Sequence, residues 1–447
     1  MGKNREKWTS RAGFILAAAG SAVGLGNIWR FPYICGASGG AFFLILYLFC
    51  MFIIGYPMMV TEITIGRKTE KNPIGAFLSL APGTPWWLVG SLGVFAGFVI
   101  LSFYSVVSGW TLAYIGKAIQ GFSPDIDYAG MFGSHITSTW APLLWHMVFM
   151  VLTIIIISMG VVKGIQYSAK ILMPLLFVLL GILVIRALTL KGAMAGLNFY
   201  LAPNLECLSW HSVHRAVGQA FFSLSLGMGA MITYGSYLNK KDNISDNSAW
   251  IVVLDTLVAV LAGFAVIPAV FALGGDPSQG PGLAFVTIPA VLAKLPFGSF
   301  FGIVFFVLLT VAALTSAISL LEVVVAWLVD EKGWERKKTS VLMGLAILVI
   351  GIPPVLGYSA LSGVHILGLD ILDTYDFITS DIALPLGGLL MAIFVGYYWK
   401  PSSVIKETND PKGAIPIGKW YSWLIRYVIP VLIFAVMVLG IYDRFSQ

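Results

Sequence analysis

Charge is what this chain lacks most: of 447 residues only 11% are Asp, Glu, Lys or Arg, and there are only 5 histidines. A soluble domain of this length cannot cover its surface with so few ionised groups, so a water-exposed globular fold is excluded. Cysteine is scarce too. Cys35, Cys50 and Cys207 stand apart, without disulfide or metal spacing, which excludes a disulfide scaffold and a thiolate metal site. No nucleophile-and-base pair, metal-ligand cluster or phosphate-binding loop is present, so an enzyme is not expected. The net charge of +6 is explained by where the basic residues lie and implies no nucleic-acid partner.

Apolar residues fill the space. They make up 58% of the chain, with a mean hydropathy of +0.89. Apolar runs of about 20 residues, the length that crosses a hydrocarbon core of about 30 Å as a helix, recur along the sequence. The reading is an all-α polytopic membrane protein in a lipid bilayer, with eleven spans near 12–35, 42–66, 88–119, 143–161, 166–189, 214–238, 248–273, 298–329, 340–357, 374–399 and 421–442. No cleavage site follows the first apolar run, which reads as the first span rather than a signal peptide. Lys and Arg gather in alternate loops: Lys3, Arg5, Lys7 and Arg11; Arg67, Lys68 and Lys71; Lys163; Lys240 and Lys241; Lys332, Arg336, Lys337 and Lys338; Lys400, Lys406 and Lys412. Those loops are expected in the cytoplasm, with the N-terminus. The opposite loops carry isolated Lys117, Lys191 and Lys294 beside Asp125, Asp127, Glu206 and Asp276. An odd span count then puts the C-terminus outside.

Within the first span lies "GSAVGLGNIWRFP", residues 20–32, where helix breakers interrupt an apolar run. The sixth span echoes it with Gly227-Met228-Gly229 in "FFSLSLGMGAMITYGSY". One such motif alone reads most simply as close helix packing. Two, five spans apart and beside Ser21, Asn27, Ser223 and Ser225, point to an inverted repeat of two five-span halves with a ligand site at the midplane. A break in lipid persists only where protein or ligand replaces the lost backbone hydrogen bonds. Freed carbonyls suit a hard cation, and the N–H groups of the following half-helix suit a carboxylate.

Three further features fit an ion path. Asp255 is an ionisable group deep in the seventh span, which marks an ion or proton pathway by default, although a hydrogen-bonded serine partner is the structural alternative. Thr315 and Ser316 are adjacent hydroxyls in "AALTSAISLLE" of the eighth span, and such hydroxyls commonly bond back to their own helix. Arg30 and Asp376 lie near the outer ends of spans one and ten, where a charge pair would close a vestibule; snorkelling to the interface is the alternative for Arg30.

With these residues in view, the sequence closely resembles the neurotransmitter:sodium symporter family along nearly its whole length. The resemblance rests on Arg5 and Trp8, "GSAVGLGNIWRFP", "GQAFFSLSLGMGAMITYGSY", "LTSAISL" and "LDTYDF". It implies the leucine-transporter fold, with residues 1–190 and 210–400 as the inverted halves and 417–447 as an added span. The family's usual twelfth span is not expected here, as in several bacterial relatives.

The resemblance also implies roles. One Na⁺ site would use the Ala22 carbonyl, Asn27, Ser223 and Asp255, completed by a substrate carboxylate. A second would use the carbonyls of Gly20, Val23 and Ala312 with the hydroxyls of Thr315 and Ser316. Tyr104 and the N–H groups of Leu25 and Gly26 would hold the carboxylate, and Ser21, Phe222 and Ser225 the amino group. Ile100, Phe222, Met228 and Leu320 would line the side-chain pocket, with Ala22, Ser223 and Ser316 at its border. Arg30 and Asp376 would form the outer gate, and Arg5, Trp8, Ser236, Tyr237 and Asp330 the inner one. Glu62 would be buried against the sixth span, and Gly164 with Pro174 would mark where the fifth unwinds.

Departures refine this. Asp255 replaces a common asparagine and Ala259 a serine found in chloride-dependent relatives, so a fixed carboxylate takes over the chloride charge and chloride independence is expected. Ser21 and Ser223 stand where the leucine transporter has asparagine and threonine. Gly26, where amine carriers have aspartate, favours an α-amino acid, and flexible Met228 admits large apolar or aromatic side chains. The expected function is therefore Na⁺-coupled import of neutral hydrophobic or aromatic amino acids, by a bundle of spans 1, 2, 6 and 7 tilting against a scaffold. A monomer suffices, and a bacterial inner membrane is the expected location. Proton-coupled transport of an amino acid or amine, and an amino-acid sensor on the same fold, are the alternatives.

Overall fold

The computed structural model describes residues 6–203, 210–275 and 282–445. Among them the regular structure is helical, apart from one isolated bridge between Ile366 and Leu369. Among the described residues nine helices are long and apolar enough to cross a membrane: Ala41–Thr69, Trp87–Gln120, Trp140–Ser158, Val161–Leu188, Ile244–Ala272, Gly298–Lys332, Arg336–Leu356, Ile371–Tyr398 and Lys419–Tyr442. Arg11–Ala22 and Gly26–Ala37 make a tenth if taken together, bent by 56°. The eleventh expected span, sixth in order, is two short helices, Trp210–Ser223 and Ala230–Ser236. Each is too short to cross alone, which is why a count of long helices among the described residues stops short of eleven.

Sequence accounts for both interruptions. In the first, Ser10 caps the helix by accepting from Gly13 N, and the helix ends where Val23 turns extended at φ −68°, ψ 109°. A π-helical turn, Gly26–Arg30, restarts it; such turns concentrate at functional sites. In the sixth, Ser225, Gly227 and Gly229 have φ of +53°, +83° and +75°. That is backbone glycine adopts without strain. A Cβ on Gly227 would lie 2.5 Å from the Leu384 carbonyl oxygen, and one on Gly387 2.7 Å from the Gly227 carbonyl oxygen. The break is therefore pressed backbone to backbone against the tenth span.

Two packing units surround the breaks. The second span and the half-helix Ala230–Ser236 approach so closely that a Cβ on Gly66 would collide with the Ile232 carbonyl oxygen, and one on Gly235 would lie 2.6 Å from the Ile63 carbonyl oxygen. Small residues permit this approach where lipid offers no hydrophobic drive between helices. On the other side, the long third and eighth spans pack together, flanked by the fourth and ninth. At the end carrying the basic loops, residues 400–418 fold over the second and seventh spans. Arg67, 1% exposed, donates to Glu407 Oε1 (3.1 Å) and to the carbonyls of Asp242 (2.7 Å), Asp410 (2.7 Å) and Glu407. Asp246 accepts from the N–H groups of Ala414 and Ile415, both at 3.0 Å.

Candidate functional site at the two helix breaks

The first break, the sixth-span break and the seventh span meet at Asn27. This side chain is fully buried; its Oδ1 accepts from Gly24 N (3.0 Å), which holds the loop of the break in shape. Its Nδ2 donates to Ser223 Oγ (2.9 Å), Asp255 Oδ1 (2.8 Å) and the Asp255 carbonyl (3.2 Å). Ser223 Oγ donates in turn to Asp255 Oδ2 at 2.7 Å, and Tyr47 OH lies 3.3 Å from Ser223 Oγ. Three acceptor oxygens thus converge on one electropositive N–H₂ group, in a place with no exposure to water.

A second oxygen cluster lies on the other flank of the first break. Ser316 Oγ donates to the carbonyls of Ser21 (3.1 Å) and Val23 (3.2 Å). Thr315 Oγ1 reaches the Ala312 carbonyl (2.9 Å) and, at 3.4 Å, the Val23 carbonyl. The two hydroxyls therefore do more than bond back to their own helix. Gly20 abuts Thr315, because a Cβ there would lie 3.4 Å from Thr315 Cβ. Carbonyls and hydroxyls, with no sulfur or nitrogen among them, are the donor set a hard cation takes.

Between the clusters is a cavity of about 30 Å³. Its lining includes Ala22, Gly26, Ile100, Tyr104, Phe222, Ser223, Ser225, Met228, Ser316 and Leu320 of the expected substrate residues, together with Asn27 and Gly24. Gly24 is closely fitted: a Cβ would lie 2.6 Å from Ser316 Oγ and 3.0 Å from Tyr104 OH. Of the other expected residues, Leu25 donates its N–H to Tyr104 OH at 3.2 Å. Ser21 offers its carbonyl to Ser225 Oγ (2.9 Å), while its own Oγ is buried without a partner among the described residues. Glu62 Oε1 accepts from Gly227 N at 2.7 Å, supplying one of the hydrogen bonds the sixth-span break gives up.

Away from the basic end a wider cavity of about 200 Å³, bordered by Trp29, Arg30, Trp110, Phe222 and Asp376, adjoins the first. Phe222 and Tyr104 border both. The Arg30 guanidinium lies 4.6 Å over the Phe222 ring, and Asp376 accepts from Ser380 Oγ (2.7 Å). Among the described residues no ion pair joins Arg30 to Asp376. Their expected pairing is not made in this conformation, in which Arg30 is engaged with the aromatic ring instead.

The basic end is closed. Trp8, 2% exposed, donates its indole N–H to the Tyr234 carbonyl (2.9 Å) and its backbone N–H to the Tyr237 carbonyl (3.1 Å). Its ring packs edge-on against Tyr234 and Tyr237. Ser236 Oγ donates to the Thr233 carbonyl (2.5 Å), and Asp330 Oδ2 accepts from Asn72 N (3.1 Å). Arg5, expected with them, lies outside the described residues.

Several contributors went unassigned in the sequence. Tyr237 OH donates to Glu322 Oε1 (2.7 Å), and Glu322 Oε2 pairs with Arg336, so a buried chain links the sixth, eighth and ninth spans beneath Trp8. The signal was present: Glu322 is a carboxylate in an apolar helix, the property that singled out Asp255. Gln219, which donates to the Gly26 carbonyl at 3.0 Å, left no such signal.

The fold defines a class: a helical membrane protein of the carrier type, with two interrupted spans that meet at a polar cavity. The profile described as the sodium:neurotransmitter symporter family matches residues 5–128 and 133–446, and the chain belongs to that family. The sodium-dependent transporter YhdH of Bacillus subtilis is 43% identical over 97% of each chain. A sodium-dependent transporter of Methanocaldococcus jannaschii is 37% identical over 97% of this chain and 90% of its own. Among solved structures, MhsT in complex with L-phenylalanine superposes with a TM-score of 0.90 at 46% identity, covering 98% of this chain and all of that one. The chain is thus a multi-pass, sodium-dependent transporter with the leucine-transporter fold, in a family of carriers rather than enzymes.

Proposed function

We propose that the chain imports neutral, hydrophobic or aromatic α-amino acids together with Na⁺ by alternating access, and does so without chloride. The observation that carries this reading is the set of three acceptors around Asn27 Nδ2, at 2.8 to 3.2 Å, beside the first break, whose backbone groups are held by side chains rather than by its own helix. A Na⁺ ion takes that position when the Asn27 amide turns over to offer Oδ1. The Ala22 carbonyl and the substrate carboxylate complete its shell, so the substrate is itself an ion ligand. A second Na⁺ is held by the carbonyls of Gly20, Val23 and Ala312 with Thr315 and Ser316. Tyr104, Leu25 N and Gly26 N bind the carboxylate, Ser21, Phe222 and Ser225 face the amine, and Ile100, Met228 and Leu320 receive the side chain. The phenylalanine bound by MhsT supports an aromatic substrate.

Phe222 and Arg30, facing Asp376, close the route on the outer side, while Trp8, Ser236, Tyr237 and Asp330 close it on the cytoplasmic side. The basic end faces the cytoplasm of a bacterial cell. At a membrane potential of about 100 mV each Na⁺ carried inward contributes about 2.3 kcal/mol to accumulation.

Uptake of labelled phenylalanine, leucine and tryptophan into proteoliposomes tests this. Accumulation is expected with an inward Na⁺ gradient and not with a pH gradient alone. Uptake that survives removal of Na⁺ would refute the coupling and favour the proton-driven reading. Replacing chloride by gluconate is expected to leave uptake unchanged, while Asp255→Asn makes the residual uptake depend on chloride, as checked by the same assay.

A further inference from the structure

The fifth span, Val161–Leu188, begins weakly. Gly160 sits at φ +94°, the first turn Val161–Gln166 is π-helical with Gly164 inside it, and Pro174 removes a backbone donor farther along. Such a start leaves its first N–H groups without intrahelical acceptors. The N-terminal segment supplies one. Glu6 Oε2 accepts from Val161 N at 2.6 Å and lies 3.4 Å from Val162 N. Gly160 leaves room for it, because a Cβ there would lie 2.9 Å from Glu6 Oε1. A carboxylate at this position also meets the positive end of the helix.

Three residues on, the same segment is tied to the end of the same turn. Thr9 N donates to Gln166 Oε1 (3.0 Å) and Gln166 Nε2 donates to Thr9 Oγ1 (2.5 Å). Gln166 is pressed on Gly13, where a Cβ would lie 2.6 Å from its amide carbon. Between these attachments sits Trp8, anchored to the Tyr234 and Tyr237 carbonyls. Asn239 Nδ2 donates to the Trp8 carbonyl at 2.8 Å.

We propose that Glu6 and the Thr9–Gln166 pair form a latch: the N-terminal segment caps the fifth span, so that withdrawal of Trp8 and unwinding of Val161–Gln166 are a single cooperative opening of the cytoplasmic side. The proposal rests on the alternating-access reading above, and names Glu6 as a positioning residue for its inner gate. Residues 6–9 cannot leave the Tyr234–Tyr237 turn while still capping Val161. Nor can the first turn of the fifth span unwind while Thr9 still holds Gln166. Each movement removes hydrogen bonds that the other needs.

Amide hydrogen exchange on the full-length protein in lipid nanodiscs, with Na⁺ present, tests this without any assumption about substrate. In Glu6→Gln the amides of 160–166 are expected to exchange about tenfold faster, the loss of a charge-assisted hydrogen bond, and Glu6→Asp restores part of the protection. In Trp8→Ala, which leaves Glu6 intact, the same amides are expected to lose protection, and combining it with Glu6→Gln adds little more. A structural cap alone would not respond to Trp8. As a second readout, Glu6→Gln raises the Na⁺ needed for half-maximal amino-acid binding while the amount bound at saturating Na⁺ is retained. Unchanged exchange of 160–166 in Glu6→Gln overturns the latch, as do additive effects of the two substitutions. If Trp8→Ala does not fold, Trp8→Phe, which keeps an aromatic ring but loses the indole N–H bond to the Tyr234 carbonyl, takes its place in the same comparison. Coupled exchange without Na⁺-driven uptake would sustain the latch and refute the transport reading instead.

Discussion

Asn27 concentrates more of the polar contacts than any neighbour, joining the first break to Ser223 and Asp255 through one amide. Removing that amide leaves buried acceptors unpaired and deletes one oxygen of the proposed first Na⁺ shell. Asn27→Ala, and Thr315→Ala at the second cluster, are each expected to raise the Na⁺ needed for substrate binding about tenfold, equivalent to about 1.4 kcal/mol. Titration of amino-acid binding against Na⁺ measures it, and an unshifted curve for both would remove the ion assignment. Much of this was legible in the sequence, since polar side chains stand out in apolar spans and each demands a partner. Glu322 was equally visible, yet only its pairing with Tyr237 and Arg336 gives it a place beneath Trp8.

At the scale of elements, the broken helices were legible because two G-x-G motifs fall in the middle of otherwise apolar runs. The cap formed by residues 400–418 was not, because its partners lie more than a hundred residues away in sequence. Glu407 is its electrostatic centre, within 3.1 Å of Arg67, 3.2 Å of Lys68 and 3.3 Å of Lys240. Burial pushes its carboxyl up, but Arg67, Lys240 and Lys68 together outweigh that and hold it below the ordinary 4.5. A carboxyl lowered by folding stabilises above its unfolded value, and that contribution disappears as pH falls through the folded one. Both lysines are about half exposed, so most of the effect comes from Arg67. Thermal unfolding followed from about pH 6 down to about pH 3 is expected to show a steeper loss for the wild type than for Glu407→Gln. Parallel curves would remove Glu407 from the cap's energetics.

For the whole molecule, one end is sealed by Trp8 while the other retains a cavity of about 200 Å³ that reaches Phe222. The pair Gly66 and Gly235 fastens the second span to the second half of the sixth, backbone to backbone. If Na⁺ and the amino acid share a shell, linkage demands that each raise the other's affinity by the same factor. Calorimetric titration of phenylalanine at low and high Na⁺, and of Na⁺ with and without phenylalanine, is expected to return equal factors. Unequal factors would mean that the two ligands do not meet in one thermodynamic cycle.

The sequence by itself determined that the chain is a bundle of membrane helices, which two of them are interrupted, and which polar residues the membrane makes expensive to keep, because composition and helix breakers act locally. Only the tertiary structure decided which oxygens converge on Asn27, that Arg30 rests on Phe222 rather than on Asp376, and that Glu6 caps the fifth span. Those outcomes depend on distances between segments far apart in the chain, which no local pattern encodes.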